Sequence, residues 1–139
     1  MTLDDADIEV QGSGTVRVYM DGQALSLNNH ASVSVPNQES PRFWLYGPPG
    51  TDVDIDNHVN FTGVIYAPDS PSKSGNINVG TQSEVYGALV GTVTDIDNTA
   101  GVHFDEALLS VTDVTGGDNS VPRVTYLHVS VSRVNVTST

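Results

Sequence analysis

Apolar residues in this chain recur at alternate positions in short runs, and each run is broken by a polar corner. Val16-Arg17-Val18-Tyr19-Met20, Asp52-Val53-Asp54-Ile55 and Asn76-Ile77-Asn78-Val79 all alternate with period two, the spacing of a half-buried β-strand. The runs are related to one another. Leu27-Asn28-Asn29-His30-Ala31-Ser32-Val33 returns as Ile55-Asp56-Asn57-His58-Val59-Asn60-Phe61, as Val79-Gly80-Thr81-Gln82-Ser83-Glu84-Val85, and as Ile96-Asp97-Asn98-Thr99-Ala100-Gly101-Val102. Each copy joins an aliphatic residue to the apolar start of a strand six positions on, and the copies lie 28, 24 and 17 residues apart. An elastic period of roughly 20 residues with strands on both sides of a corner predicts a solenoid.

Superposing the copies puts Leu27, Ile55, Val79 and Ile96 in one column and Val33, Phe61, Val85 and Val102 in another. A third column holds Leu25, Val53 and Ile77 and loses its apolar member at Thr94. Like residues stacked at strand spacing bury a continuous core while the backbone bonds to the rungs above and below. An antiparallel sandwich has no need to keep equivalent residues in phase; a parallel coil does, and it lets insertions leave at corners. The expectation is an all-β, right-handed parallel β-helix of about four to five coils, right-handed because parallel crossovers are. It forms one domain over 1–139, with the solenoid coils at 7–108 and C-terminal capping strands at 109–139.

Segments outside the repeat sharpen this outline. Pro36 to Pro41 is a polar loop expected to bulge from an edge, and Asp69 to Gly75 is a second excursion. Tyr66-Ala67-Pro68 aligns with Tyr46-Gly47-Pro48, and Val85 to Gly91 repeats Phe61 to Ala67. After Leu109 the repeat stops. Val124 to Val136 reads as one long strand, too long for a rung, so it is expected to pair with Leu109 to Val114 and cover an open end or edge.

Charge changes the picture next. Seventeen acids face five bases, giving a net charge of −12, and Lys73 is the single lysine. A field of that sign repels nucleic acid and anionic membrane surfaces, so nucleic acid is excluded as a partner. Acid excess with almost no lysine suits high salt, where screening removes self-repulsion. The chain has no cysteine, which rules out disulfides and thiolate metal sites.

Candidate chemistry follows from the same columns. The outward positions stack Ser26, Asp54, Asn78 and Asp95, with Asn28, Asp56, Gly80 and Asp97 beside them. Oxygen ligands on neighbouring rungs make Asp54, Asp56, Asn78, Asp95 and Asp97 a candidate Ca²⁺ or Mg²⁺ site. No glycine-punctuated calcium loop accompanies them, so a solvated acidic face with no cofactor is the favoured reading. Asn29, Asn57 and Asn98 share a corner and suit a left-handed backbone with side-chain bonds between rungs. His30 and His58 follow two of them and lack a third strong metal ligand. His103-Phe104-Asp105-Glu106 combines groups able to do acid–base work, yet it sits where the coils end, so satisfying free backbone groups is the expected role. Asn60 and Asn135 begin glycosylation sequons. Phe43, Trp44, Tyr46 and Tyr66 offer either a sugar-binding strip or core packing, since alternate members of a strand must point inward.

The phrases Phe61-Thr62-Gly63-Val64-Ile65-Tyr66-Ala67-Pro68, Val85-Tyr86-Gly87-Ala88 and Val102-His103-Phe104-Asp105-Glu106-Ala107-Leu108 resemble a known pattern. It is the GxIYAP…YGA…HYDEAL pattern of a β-helical domain of unknown function, found in haloarchaeal pilin-like surface proteins and bacterial pilus-assembly-like proteins. Val121 to Val129 resembles the close of the haloarchaeal members. Phe104 stands where the pattern often has Tyr. The resemblance implies an extracellular or cell-surface domain whose full-length protein is membrane-anchored through an N-terminal helix, and it carries over no catalytic residue. The expected function is therefore non-enzymatic: a surface-structural, adhesion or pilus-associated module of a halophilic archaeon, with protein, cell-surface or glycan partners. Alternatives are a polymerising bactofilin-like scaffold and a carbohydrate-binding β-helix.

Overall fold

The computed structural model describes residues 1–111 except Thr92 and Asn98; residues 112–139 lie outside the described part. The expected strand Val124–Val136, its pairing partner up to Val114 beyond Val111, and Asn135 therefore fall outside it. Twelve strands follow one another: β1 (Thr2–Asp4), β2 (Asp7–Glu9), β3 (Val16–Tyr19), β4 (Ala24–Asn28), β5 (Ser32–Ser34) and β6 (Phe43–Tyr46) make the first two coils. Then come β7 (Asp52–Ile55), β8 (Asn60–Ala67), β9 (Asn76–Val79), β10 (Glu84–Gly91), β11 (Val93–Ile96) and β12 (Gly101–Phe104). Short 3-10 turns occupy Pro36–Gln38, Ser40–Arg42 and Glu106–Ser110.

Every strand pairs in parallel with its equivalent one coil away, which makes the molecule a parallel β-solenoid. A first face runs β1-β4-β7-β9-β11 and a second runs β2-β5-β8-β10-β12. A third face stacks β3 on β6 and β6 on the second half of β8, which continues into the second half of β10. In the lower coils, loops separate the second and third faces. In the upper coils one eight-residue strand turns the corner itself, at Gly63 and Gly87, whose φ values are 154° and 141°. A Cβ on Gly63 would lie 2.8 Å from the Phe43 carbonyl oxygen, and one on Gly87 would collide with the Gly63 carbonyl. Only glycine fits this bend.

The columns read from the sequence are those of the register. Leu27 pairs with Ile55, Ile55 with Val79 and Val79 with Ile96, while Val33, Phe61, Val85 and Val102 form the second column. Leu25, Val53, Ile77 and Thr94 form the third. These side chains are buried through the middle coils, with Ile55, Phe61, Val79 and Val85 fully so. Phe43, Leu45, Ile65 and Ala67 complete the core from the third face. Burying each large aliphatic or aromatic side chain contributes about 1.5–3 kcal/mol, so the stacked interior dominates the stability.

Three expectations shift. The coil begins at Thr2, before residue 7, because Leu3 pairs with Leu27 and Ile8 with Val33. Its corner, Asp4 to Asp7, is one residue shorter than the others, which hides it from the repeat. The Pro36–Pro41 loop does not stand out from an edge; it folds back over β8 and β10, with Ser40 fully buried. Leu109 does not open a strand. It lies in the 3-10 turn Glu106–Ser110, which packs on the Ser40–Arg42 turn.

Candidate functional site

The corner between the first and second faces shows what its polar residues do. Asn29 and His30, and Asn57 and His58, all have φ between 52° and 66°, two consecutive left-handed residues per corner. Asn57 Nδ2 donates to Asn29 Oδ1, and Asn29 Nδ2 donates to Asp4 Oδ1 at 2.5 Å. The imidazoles of His30 and His58 stack with centroids 4.9 Å apart, and the backbone N–H of each histidine donates to a carbonyl of the next rung, that of Asn57 and Thr81 respectively. Local αL conformation and inter-rung bonding account for these residues as structural. Asn98 lies outside the described residues.

The acidic column is built as expected: Ser26, Asp54, Asn78 and Asp95 are in register on the first face. Asp54 and the neighbouring Asp56 each engage one oxygen locally. Asn78 Nδ2 donates to Asp54 Oδ1 at 2.8 Å, and Asp56 Oδ1 accepts the N–H of Asn57 at 2.8 Å. Lys73 Nζ pairs with Asp52 at 2.7 Å, and that hydrogen bond, helped by the Asn76 N–H, holds the Asp52 carboxyl below its usual range against the opposing effect of burial. Both partners are well exposed, so the pair adds little stability. Among the described residues no group of three or more His, Asp or Glu is placed to hold a metal ion.

At the upper end, His103 Nε2 lies 2.7 Å from Glu84 Oε2, and the His103 ring stacks on Tyr86 at 4.7 Å. Asp105 points elsewhere. It caps the final 3-10 turn through the Ala107 N–H, and its other oxygen accepts the Ser40 N–H at 2.9 Å and the Ser40 hydroxyl at 2.8 Å. Burial pushes the Asp105 carboxyl up, but these hydrogen bonds outweigh it and hold the group below its usual range. The tetrapeptide thus splits: Asp105 fastens the end of the coil to a loop 65 residues earlier, while His103 stays on the outer surface. Asn60 is exposed at the start of β8, whereas Thr62, the third residue of its sequon, is buried.

The third face carries the least expected surface. Phe43 and Leu45 point inward and are buried, so the aromatic group divides along the pleat. Trp44, Tyr46 and Tyr66 point outward, and Tyr19 joins them, because Tyr19 pairs with Tyr46 and Tyr46 with Tyr66. Tyr19 and Tyr46 stack at 4.9 Å with an 11° interplanar angle; Trp44 lies 6.0 Å from Tyr46, and Tyr66 is also 6.0 Å away, tilted by 58°. Tyr19 is 71% exposed and Tyr66 38% exposed. Arg17 stands in register with Trp44 at the foot of the strip. No carboxylate occupies either outward column of this face, Arg17-Trp44-Val64-Ala88 or Tyr19-Tyr46-Tyr66-Val90. On a chain with 17 acids that is a distinct chemical surface. Tyr19 was legible in principle: Val16-Arg17-Val18-Tyr19 aligns with Phe43-Trp44-Leu45-Tyr46, ending on the same residue type.

Residues 1–111 match the model of a family described as a domain of unknown function, DUF7305. The chain belongs to the DUF7305 family. No curated protein and no solved structure matches it. The matched segment ends at Val111, so the family's domain takes in the whole described solenoid together with the Asp105 fastening and the aromatic face.

Proposed function

We propose that this DUF7305 chain is a non-enzymatic surface module of a halophilic archaeon, structural or adhesive and pilus-associated, that works outside the cell on a membrane-anchored protein. The observation that carries the adhesive part is the exposed strip of Tyr19, Tyr46, Tyr66 and Trp44, held on a rigid stack and free of carboxylates. Exposed contiguous aromatic surface marks a place of interaction, since each ring left in water costs hydration free energy that a partner recovers. The acid excess supports life at high salt, where the aromatic strip gains weight because electrostatic attraction is screened and apolar burial is not. The surface-protein resemblance supports the compartment and the pilus association.

A carbohydrate-binding reading is favoured by the same strip. One face of the Tyr19 ring rests on Tyr46 and the ring is otherwise largely open, which suits the apolar face of a pyranose, with Arg17 nearby for its hydroxyls. Binding of the labelled chain to a glycan array and to isolated archaeal cell envelopes, both in molar salt, tests the proposal. Retention on envelopes that is lost in the Tyr19→Ser/Tyr46→Ser variant is the expected result, and retention on pyranose glycans as well identifies the sugar reading. Equal retention of the variant and the natural chain would overturn the adhesive role of this face.

A further inference from the structure

The two outward columns of the third face, Arg17-Trp44-Val64-Ala88 and Tyr19-Tyr46-Tyr66-Val90, contain one charged residue, and it is a base. The described residues hold two further arginine or lysine side chains, each engaged with a carboxylate: Arg42 Nε with Glu39 at 2.6 Å and Lys73 Nζ with Asp52 at 2.7 Å. Arg17 is placed differently. It is exposed and stands two residues before Tyr19 on β3, so both side chains leave the same side of the strand from backbone positions about 6–7 Å apart. The ring beside it is firmly supported. Tyr19 is backed by Tyr46 at an interplanar angle of 11°, Trp44 lies within 12° of parallel to Tyr46, and Trp44 Nε1 donates to the Pro41 carbonyl at 2.8 Å.

We propose that this face selects an anionic sugar: a pyranose bearing a carboxylate or sulfate, its ring packed on Tyr19 and its anion held by Arg17. The inference rests on the carbohydrate-binding reading of the strip and names the class of sugar that the strip takes. The hydroxyls of a neutral pyranose are met as readily by carboxylates, which accept from them, and this chain has seventeen acids available for that role. The face instead sets a guanidinium beside its most open ring and holds no carboxylate in either column. That arrangement denies a neutral sugar its acceptors and spares an anionic one repulsion. The guanidinium fork matches a carboxylate or sulfate with two parallel N–H···O bonds, a fit that the point charge of a lysine lacks.

The net charge of −12 does not forbid such a ligand. In molar salt the Debye length is about 3 Å, so distant acids are screened while a direct contact to Arg17 is not. Charge order along the strand also orients the sugar. Arg17 precedes Tyr19 and Asp21 follows in the corner, which directs the anion toward Arg17 and hydroxyls toward Asp21. An acidic protein surface matches less closely, because it brings charge without a flat apolar ring face to cover Tyr19.

The test pairs each anionic glycan with a neutral counterpart on an array read in molar salt. Oligomers of glucuronate, galacturonate and mannuronate stand beside their methyl esters, and sulfated dextran beside dextran. The natural chain is expected to bind an anionic member about tenfold or more tighter than its counterpart, and the carboxylate and sulfate arms show which anion is taken. Arg17→Gln, with a melt matching the natural chain, should erase that preference while leaving the neutral member bound, and Arg17→Lys should restore only part of it. Tyr19→Ser/Tyr46→Ser should lose both members, which separates the part of the ring from that of the guanidinium. Equal binding within every pair, or a preference that survives Arg17→Gln, would overturn the inference and leave the carbohydrate reading standing. No glycan binding at all would overturn both, and envelope retention that still required Arg17 would then assign the face to an acidic protein surface.

Discussion

The first and third faces of the coil are built by one rule and finished in opposite ways. Both stack parallel strands in strict register, and both send aliphatic or aromatic side chains inward to the same core. Outward, the first face shows Ser26, Asp54, Asn78 and Asp95, whereas the third shows Tyr19, Tyr46, Tyr66 and Val90. The difference teaches that the solenoid constrains only alternate positions. Inward columns define the fold, and outward columns are free to carry either solvation or recognition.

The comparison breaks most severely at a position both faces depend on. Ile55 is fully buried between Leu27 and Val79, so Ile55→Ala is expected to cost about 2–5 kcal/mol, read as a lower denaturation midpoint in urea. Tyr66→Ser, on the surface two rungs from the top, should cost far less. If the two losses proved equal, the division between inward and outward columns would be wrong.

Salt sharpens the contrast at the next level. Lowering salt from molar to 0.1 M should depress the melting temperature, because the Debye length grows to about 10 Å and the acids of the first face repel one another. Replacing Asp54, Asp56, Asp95 and Asp97 by Asn should flatten that dependence, whereas replacing the third-face tyrosines by Ser should leave it unchanged. Chelator should shift neither melt, since Asp54 and Asp56 already spend oxygens on Asn78 and Asn57. A raised midpoint in Ca²⁺ that vanishes with chelator would instead make the acid column a metal site.

A smaller effect comes from the fastening that joins the end of the second face to the Ser40 loop. The folded Asp105 carboxyl titrates below its unfolded value of about 3.9, so its stabilisation is complete above that pH and is lost as pH falls through the depressed folded value. Asp105→Ala should cost about 1–2 kcal/mol at neutral pH and weaken the acid limb of the stability profile. Lys73→Ala, removing one exposed pair, should fall within about 0.5 kcal/mol of the natural chain.

The coil itself was legible because its information is repeated: four copies of one corner fix the phase of every column, and insertions leave that phase intact. What stayed hidden was whatever occurs once. The opening strand Thr2–Asp4 was missed because Leu3-Asp4-Asp5-Ala6-Asp7-Ile8 spans five steps where the other corners span six. Asp105 could be placed at an end, but its partner Ser40 could not be named, since a side-chain bond across 65 residues leaves no periodic trace. The aromatic surface was half visible. Pleating told that Phe43, Trp44, Tyr46 and Tyr66 must divide, yet only the register with β3 brought Tyr19 alongside Tyr46.

The most direct test sets the two faces against each other in one experiment: retention of the labelled chain on archaeal cell envelopes in molar salt, with variants whose melts match the natural chain. The account predicts that Tyr19→Ser/Tyr46→Ser abolishes retention while Asp54→Asn/Asp95→Asn leaves it intact. Retention that survives the tyrosine changes and disappears with the aspartate changes would contradict it, and would move recognition to the acidic face.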